Sequence, residues 1–303
     1  MKTPVFIVGE ARSGTSIAHR CLLLHPSFRL ANGSSTALAE TSAFVHPTRI
    51  VDDFREDAGL WEYLLGRDDI GSEIVSKLRP WRNVAMRTWP AYRLAKRFRM
   101  GSRNLWNAGR YPEILRCYFA AAQRARGQER LLDKSPTHVF VIPEIFWTYP
   151  DAKVIYLMRD PVDTFASYKK RYEREKAAGA SEQSLQWLHV TIDGLTTRLR
   201  KNWKRVQRAH QRWPDHVAVI RYDAFVGDYD NVMPALLRWL DEPEIVVQPT
   251  QTDESWSADP QLMAGLRPRA ESNDEVISKS EVEKIHALMS DAESILPRFI
   301  CHS

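Results

Sequence analysis

The residues best suited to chemistry lie near the start of the chain, in the loop Gly9-Glu-Ala-Arg-Ser-Gly-Thr-Ser16, which follows a short apolar run. Backbone N–H groups of such a loop, with the positive end of a following helix, can enclose a phosphate. The spacing of Gly9 and Gly14 matches the phosphate-binding loop of nucleoside triphosphatases, but Thr15 replaces their lysine and Arg12 is the only cation. The loop predicts a phosphate cradle without ordinary triphosphate chemistry; the alternative is a simple glycine-rich turn.

A second phosphate-binding pattern lies in the segment Lys153–Arg171, KVIYLMRDPVDTFASYKKR. Its apolar strand ends at Arg159, and Pro161 is typical of the first position of a helix. Ser167 then lies about two helical turns further along. One guanidinium and one hydroxyl in this arrangement predict a grip on a second, separate phosphate.

These two segments, with Asp133-Lys-Ser-Pro136 between them, resemble the sulfotransferases that use 3'-phosphoadenosine-5'-phosphosulfate (PAPS). The letters ARSGTS resemble the family's 5'-phosphosulfate loop, and RDPVDTFASY resembles its 3'-phosphate motif. The similarity covers residues 4–50 and 130–171, and in motif style it is nearest to bacterial, Golgi-type and protein-tyrosine members. The resemblance implies a P-loop NTPase-like α/β fold and a PAPS donor that leaves as adenosine 3',5'-bisphosphate.

The resemblance also implies which residues contact the nucleotide. Tyr222, after a strand, matches a tyrosine that neighbours the nucleotide, although it equally suits a half-buried strand position. Arg267 and Arg269 lie in a late loop that in this family folds over the adenosine. The hydroxyls of the first loop have helix capping as their alternative role. The full predicted binding set is Arg12, Ser13, Gly14, Thr15, Ser16, Arg159, Ser167, Tyr222, Arg267 and Arg269.

Sulfuryl transfer, like phosphoryl transfer, requires aligned oxygens and neutralisation of the charge that develops on the leaving phosphate. Arg12 is the predicted cation for that charge, where many cytosolic members carry lysine; a guanidinium stays ionised and can bridge two oxygens. The resemblance assigns Lys134, in DKSP, to the oxygens of the transferring group. These protein cations are expected to make a metal unnecessary, and no sequence pattern suggests a metal site.

The acceptor hydroxyl also needs a base, and Glu40 in ALAETSAFVHP is the first choice. Its interval from the loop, with Phe44 after it, resembles the catalytic glutamate of protein-tyrosine and Golgi-type members; the alternative is a surface glutamate. Arylsulfotransferase-like members place a catalytic histidine where this chain has Pro136. His138 and His46 are therefore alternative bases, each equally consistent with a structural or substrate contact.

The pattern of elements predicts an α/β protein with a central parallel sheet flanked by helices. Strand-like runs occur at Val5–Val8, around Leu131–Asp133, at Val154–Met158 and at Val217–Tyr222. Residues 52–130 have helical periodicity and predict an acceptor-binding helical lid inserted into a single domain of residues 1–303. A long helix is predicted over Ser181–Arg212, with Trp187, Leu188, Ile192, Leu195, Leu199 and Trp203 in the core. A loop follows at Glu242–Glu271, then a helix from near Ser280.

The chain has 303 residues and a formal net charge of +5, but the charge is uneven. From Arg79 to Arg130 there are thirteen Lys and Arg and only two acidic residues, Glu113 and Glu129. Tryptophans and tyrosines alternate with these cations, so the segment suits an anionic partner or a solvated basic face with a core-facing aromatic stripe. Three scattered cysteines indicate no disulfide framework. Without a signal-like segment or apolar run of membrane length, the expected location is the cytoplasm.

The predicted function is transfer of a sulfuryl group from PAPS to an acceptor hydroxyl, with an amine as a less favoured acceptor. The acceptor itself is open among small molecules, glycans and lipid-linked compounds, and a homodimer is possible. An ATP-dependent kinase is one alternative, disfavoured by Thr15 and by the lack of an acidic magnesium site after a strand. A non-catalytic protein that binds nucleic acid or an anionic surface is another, although nucleic acid is not the expected partner.

Overall fold

The structure is a computed structural model, which describes residues 2–31, 40–48, 50, 76–98, 100–249 and 276–292. Its four strands form one parallel sheet in the order β2-β1-β3-β4. The strands are β1 (Val5–Gly9), β2 (Leu132–Lys134), β3 (Lys153–Met158) and β4 (Val217–Arg221). In the β1–β2 pair, Val5 lies opposite Leu132 and Ile7 opposite Lys134. The predicted α/β class with a central parallel sheet is confirmed, and each predicted strand exists close to its predicted bounds.

Helices flank this sheet. Those described are α1 (Thr15–Leu23), α2 (Arg82–Phe98), α3 (Ser102–Ala108), α4 (Tyr111–Arg126), α5 (Ile142–Thr148), α6 (Pro161–Ala177), α7 (Glu182–Leu185), α8 (Ile192–Arg212), α9 (Tyr222–Gly227), α10 (Tyr229–Trp239) and α11 (Lys279–Met289). Short 3-10 turns occupy Arg79–Trp81, Pro136–Phe140 and Gln186–Leu188. None of the described helices is both long enough and apolar enough to cross a membrane.

The chain forms two compact units. The first unit takes Met1–Ile7 with His19–Val154, and the second takes Val8–Ala18 with Ile155–Ser303. In the first unit, the rings of Phe6, Phe44 and Phe119 are fully buried and pack with centroid distances of 5.5 and 5.6 Å. A second aromatic cluster joins α2, α3 and α4 through Tyr92, Trp106 and Tyr111.

The second aromatic cluster belongs to the basic segment of residues 79–130. Tyr92, Trp106 and Tyr111 are 2%, 0% and 0% exposed, so these aromatic side chains are core residues of the first unit. Tyr92 and Lys96 of α2 both contact the buried carboxylate of Glu144 on α5. These three aromatics of the basic segment therefore pack inward, as the core-facing stripe predicts, whereas Trp81 and Trp89 are half-buried.

In the second unit, α8 presents Leu195, Leu199 and Trp203 to the core. It is joined to α11 by the ion pairs Lys284–Asp193 and Arg200–Asp291, at 2.5 and 2.7 Å. Helix α11 begins after Ser278, whose side chain accepts a hydrogen bond from the N–H of Glu281 while the Glu281 carboxylate accepts from the N–H of Ser278. This capping box explains why the last helix begins near the predicted Ser280.

The single long helix predicted over Ser181–Arg212 is wrong. The chain forms the short α7 and a 3-10 turn, then breaks at residues 189–191 before α8 begins. Thr191 caps α8 by accepting a hydrogen bond from the N–H of Gly194 at 3.1 Å, and a side-chain cap of this kind favours a new helix start. Because of the break, Trp187 is 52% exposed rather than in the core, and Ile192 is only half-buried.

Candidate functional site

The phosphate loop connects β1 to α1 in the second unit and has a tightly turned backbone. Arg12 and Gly14 have φ values of +68° and +95°, in the left-handed region that side chains other than glycine rarely adopt. A Cβ on Gly14 would lie 2.2 Å from Cδ2 of Tyr222, so only glycine fits beneath that ring. The motif glycine therefore permits both the turn and the close packing of Tyr222.

The loop offers donors to an anion. Helix α1 begins at Thr15, and the first N–H groups of a helix have no acceptor within that helix. The N–H groups of Thr15 and Ser16 can therefore donate to an anion held by the loop. The Ser13 hydroxyl is buried and, within the described residues, has no hydrogen-bond partner. Buried polar atoms are nearly always paired, so an unpaired donor here fits a site that a ligand completes.

The second phosphate grip lies at the end of β3 and the start of α6, as the sequence predicts. Asp160 caps α6 by accepting hydrogen bonds from the N–H groups of Val162 and Asp163 at 2.8 and 3.0 Å. Arg159 precedes this cap, and Ser167 lies within α6. The Asp-Pro pair thus fixes where the helix begins, and with it the position of Arg159.

The structure brings these two predicted grips into direct contact within the second unit. The Arg12 Nε donates to the Ser167 Oγ at 3.2 Å, and the Arg159 Nη1 donates to the Arg12 carbonyl at 3.2 Å. The Arg159 guanidinium lies 4.6 Å from the centroid of the Tyr222 ring. Its Nε is buried without a hydrogen-bond partner among the described residues. Two arginines, one hydroxyl and one aromatic ring therefore form a single cationic cluster beside the loop.

The predicted catalytic residues Glu40 and Lys134 lie in the first unit and form an ion pair. Lys134 ends β2, and its Nζ donates to the Glu40 Oε2 at 2.6 Å. The lysine side chain is 9% exposed, whereas the glutamate side chain is 51% exposed. Glu40 is thus held by a fixed cation while much of its carboxylate stays accessible, and accessibility is what a base needs to reach a substrate proton.

A network of side chains holds the backbone that follows Glu40. The N–H groups of Thr41 and Ser42 both donate to the Ser135 Oγ, at 3.0 and 3.1 Å. The Thr41 Oγ1 donates to the Asp133 Oδ1 at 3.2 Å. Sequence reasoning missed this function of Thr41, Asp133 and Ser135, because the bonds join residues more than ninety positions apart.

The two alternative bases differ in exposure. His138 is 0% exposed; its Nε2 accepts a hydrogen bond from the N–H of Phe44 at 3.3 Å, and its Nδ1 lies 3.2 Å from the Asp133 Oδ2. This buried ring supports the turn after Glu40, and its role as a base stays a prediction. His46 is exposed just beyond that turn. Arg267 and Arg269 lie outside the described residues.

A metal was not expected at the site. Among the residues that the structure describes, no group of His, Cys, Asp and Glu side chains is arranged to hold a metal ion.

Comparison with solved structures finds distant similarities. The sulfotransferase domain from the curacin biosynthetic pathway is 15% identical, with 98% of this chain and 99% of that chain covered and a TM-score of 0.46. A sulfotransferase from Alicyclobacillus acidocaldarius is 18% identical, with 97% and 99% covered and a TM-score of 0.46. One from Mycobacterium avium is 16% identical, with 96% and 76% covered and a TM-score of 0.47.

These similarities are too distant to bear on the substrate. Comparison with curated proteins finds no match. The model of the sulfotransferase family, by contrast, matches residues 4–245, which include the phosphate loop, Glu40, the DKSP segment and the Arg159 motif. The chain therefore belongs to the sulfotransferase family.

Proposed function

We propose that the protein transfers a sulfuryl group from PAPS to an acceptor hydroxyl, less favourably an amine, and releases adenosine 3',5'-bisphosphate. The observation that carries the proposal is the contact between Arg12 and Ser167, with Arg159 bound to the Arg12 carbonyl. Two arginines beside one phosphate loop suit a nucleotide that bears anionic groups on both sides of its ribose. Membership of the sulfotransferase family supports the reaction class.

The residues present fit the donor. Ser13, Thr15 and Ser16 would hold its 5'-phosphosulfate through hydroxyl and N–H groups, and Arg159 with Ser167 would hold the 3'-phosphate. Tyr222 would lie beside the nucleotide, since its ring already packs on Gly14. When bound, PAPS supplies an activated sulfuryl group on a phosphate leaving group. The Arg12 guanidinium would neutralise the charge that develops on that phosphate.

Glu40 is the proposed base and Lys134 the proposed cation for the sulfuryl oxygens. As the acceptor oxygen bonds to sulfur, its proton passes to the Glu40 carboxylate and the bond from sulfur to the 5'-phosphate oxygen breaks. In the structure, the Lys134 Nζ lies 2.6 Å from the Glu40 Oε2 and holds this carboxylate in position. Since three protein cations are available, namely Arg12, Arg159 and Lys134, we propose that the reaction proceeds without a metal.

The acceptor class is inferred from α2 of the first unit and the residues directly after it, which lie in the segment proposed as a lid. Leu94, Phe98 and Met100 are 58%, 60% and 70% exposed. The sequence has no acidic residue between Glu73 and Glu113. Exposed apolar side chains in a segment rich in cations suit an amphiphilic, anionic acceptor, such as a lipid-linked compound. The lid role, the homodimer and the cytoplasmic location stay predictions.

Calorimetry with adenosine 3',5'-bisphosphate, ADP and ATP, each without and then with magnesium, tests the proposal. We expect the 3'-phosphorylated nucleotide to bind most tightly, with no requirement for magnesium, and an Arg12→Ala variant to lose most of that binding. Preference for magnesium-ATP would indicate a kinase. A non-catalytic protein would instead bind polyanions and no nucleotide. That binding would weaken steeply with salt and would be unchanged by Arg12→Ala.

A further inference from the structure

The phosphate loop contains a buried acidic residue that the proposed reaction does not use. Glu10 follows Gly9 directly, and it is 5% exposed. Acidic side chains are almost never this buried unless they are paired. A carboxylate in a loop proposed to hold phosphates would also repel them, so its presence requires a physical explanation.

Three side chains from two helices hold the Glu10 carboxylate. The Tyr168 hydroxyl of α6 and the Arg198 Nε of α8 each donate to Oε1 at 2.9 Å, and the Asn202 Nδ2 of α8 donates to Oε2 at 3.2 Å. The Arg198 guanidinium is also 5.9 Å from the centroid of the Tyr168 ring. Glu10 therefore connects the loop to both helices, and Arg198 supplies the opposing charge.

The Glu10 contacts lie next to those made by Arg12. Glu10 binds Tyr168 and Arg12 binds Ser167, so two loop residues two positions apart are tied to consecutive residues of α6. Arg12, one of these two loop residues, has the left-handed φ of +68°. A non-glycine residue in that conformation is strained and persists only where its surroundings hold it. The Glu10 contacts are the part of the surroundings that anchors the loop on its N-terminal side.

Burial raises the pKa of Glu10 above its ordinary value, although Arg198, Tyr168 and the N–H of Ala11 oppose that rise. Within the described residues, the titratable side chains facing Glu10 are Tyr156 of β3, Tyr168 of α6 and Arg198 of α8. Because desolvation outweighs pairing, ionisation of the Glu10 carboxyl is less favourable in the folded protein than in the unfolded chain.

We propose that Glu10 is a positioning residue that fixes the phosphate loop in its anion-binding conformation, and that Arg198 neutralises Glu10 so that the loop accepts a phosphate. The proposal rests on the proposed function only in naming the ligand, adenosine 3',5'-bisphosphate. Glu10 itself touches neither the nucleotide nor the reacting atoms in this account. Its effect passes through the backbone of residues 10–14 and through Tyr168.

The test measures the dissociation constant of adenosine 3',5'-bisphosphate at pH 8 and pH 5.5, with thermal unfolding of every variant as a check on folding. Arg198→Gln should weaken binding about tenfold at pH 8, since an uncompensated buried carboxylate then faces the ligand. Relative to wild type, that deficit should shrink at pH 5.5, because loss of Arg198 raises the pKa of Glu10 further and a lower pH favours the uncharged carboxyl. Arg208→Gln, an exposed arginine of the same helix, is the matched control and should bind normally.

Further variants separate charge from positioning. The double variant Glu10→Gln with Arg198→Gln should recover binding to within about threefold of wild type, because both charges are removed together. Glu10→Ala should weaken binding about tenfold, whereas the isosteric Glu10→Gln should retain most of it. Tyr168→Phe, which removes one hydroxyl, should cost about threefold.

Two results would overturn the inference. Wild-type affinity in folded Glu10→Ala and Arg198→Gln would remove the positioning role, and equally weak binding by Arg198→Gln and the double variant would remove the charge-compensation role. If wild-type protein binds ATP but not adenosine 3',5'-bisphosphate, the proposed function fails, and the same variants measured with ATP still test Glu10. If it binds neither, both proposals fail.

Discussion

The loop region of the second unit and the Glu40 region of the first are built in different ways. In the loop region, the backbone is shaped by local features: a glycine at φ +95°, a helix that begins at Thr15, and an Asp-Pro cap before α6. In the Glu40 region, an irregular backbone is held by side chains of the Asp133–His138 segment. Local features set the backbone of the first region, and the Glu10 and Arg12 side chains then tie it to distant helices. The backbone of the second region depends on side-chain hydrogen bonds from the start.

This difference has a functional meaning if the first region binds nucleotide and the second supplies the base. Backbone amides and helix starts are costly to disturb by a single substitution, so nucleotide binding should weaken chiefly when the arginines, the Glu10 contacts or Tyr222 are changed. A base held through hydroxyl groups is easier to misplace, and small displacements reduce catalysis strongly. Substitutions in the two regions should therefore separate affinity for nucleotide from turnover.

The largest separation is expected for Glu40→Gln. Loss of the base should lower kcat by about 10²–10⁴ while the affinity for adenosine 3',5'-bisphosphate stays at the wild-type value. Steady-state kinetics with calorimetry measures both quantities. Glu283→Gln, an exposed glutamate on α11, is the control. Normal turnover by Glu40→Gln would contradict the assignment and move the base to His138 or His46.

Arg12→Ala should affect both quantities. Loss of the cation for the leaving phosphate should lower kcat by about 10²–10³, and binding of the bisphosphate should weaken because the contact with Ser167 is also lost. Arg12→Lys should restore part of kcat. Exposed Arg29 provides an arginine control. An Arg12→Ala variant that loses only affinity would show that Arg12 holds the donor without stabilising the transition state.

Ser135→Ala tests the network alone. The N–H groups of Thr41 and Ser42 would lose their shared acceptor, so Glu40 should be less well positioned and kcat should fall about tenfold. Affinity for the nucleotide should not change. A fall in affinity with normal kcat would reverse the division of labour drawn between the two regions.

Tyr222→Ala should give a smaller effect, and one confined to binding. The ring supports the Arg159 guanidinium at 4.6 Å, and an interaction of this type contributes about 0.5–1 kcal/mol, or about a two- to fivefold change in affinity. Tyr222→Phe should bind almost normally, since the ring remains. A large loss in Tyr222→Phe would instead assign a function to the hydroxyl.

The smallest effect concerns stability and pH. A carboxyl group whose pKa is raised by folding contributes stability below its unfolded pKa, and this contribution is lost as pH rises through the folded pKa. The Tm of Glu10→Gln minus that of wild type should therefore increase as pH rises above about 4.5. Thermal unfolding across that range measures it. A constant difference would show that burial does not shift the pKa of Glu10.

The sequence predicts the features that depend on local residues and not those that depend on tertiary contacts. The strands, the start of α6 at Pro161 and the start of α11 near Ser280 were predictable, because Pro, Ser and β-branched residues act locally. The break before α8 was not, since helical periodicity continues across residues 189–191 while the Thr191 cap interrupts the backbone. Exposed Trp187 is the consequence.

The site shows the same limit. The sequence indicates Arg12, Arg159 and Ser167, and the structure places them in contact. The sequence does not indicate that Glu10 is buried against α6 and α8, or that the His138 ring is enclosed rather than accessible. Burial and partners more than ninety residues apart arise from tertiary packing, which a single sequence pattern does not contain.

The central claim is that the loop and the Arg159 grip hold one nucleotide carrying phosphates on both sides of its ribose. Calorimetry of adenosine 3',5'-bisphosphate and AMP, each with wild type and Arg159→Met, tests it most directly. We predict that wild type prefers the bisphosphate and that Arg159→Met loses most of this preference, about tenfold, for want of a charged contact to the 3'-phosphate. Equal weakening of both nucleotides by Arg159→Met, with the preference intact, would contradict the account.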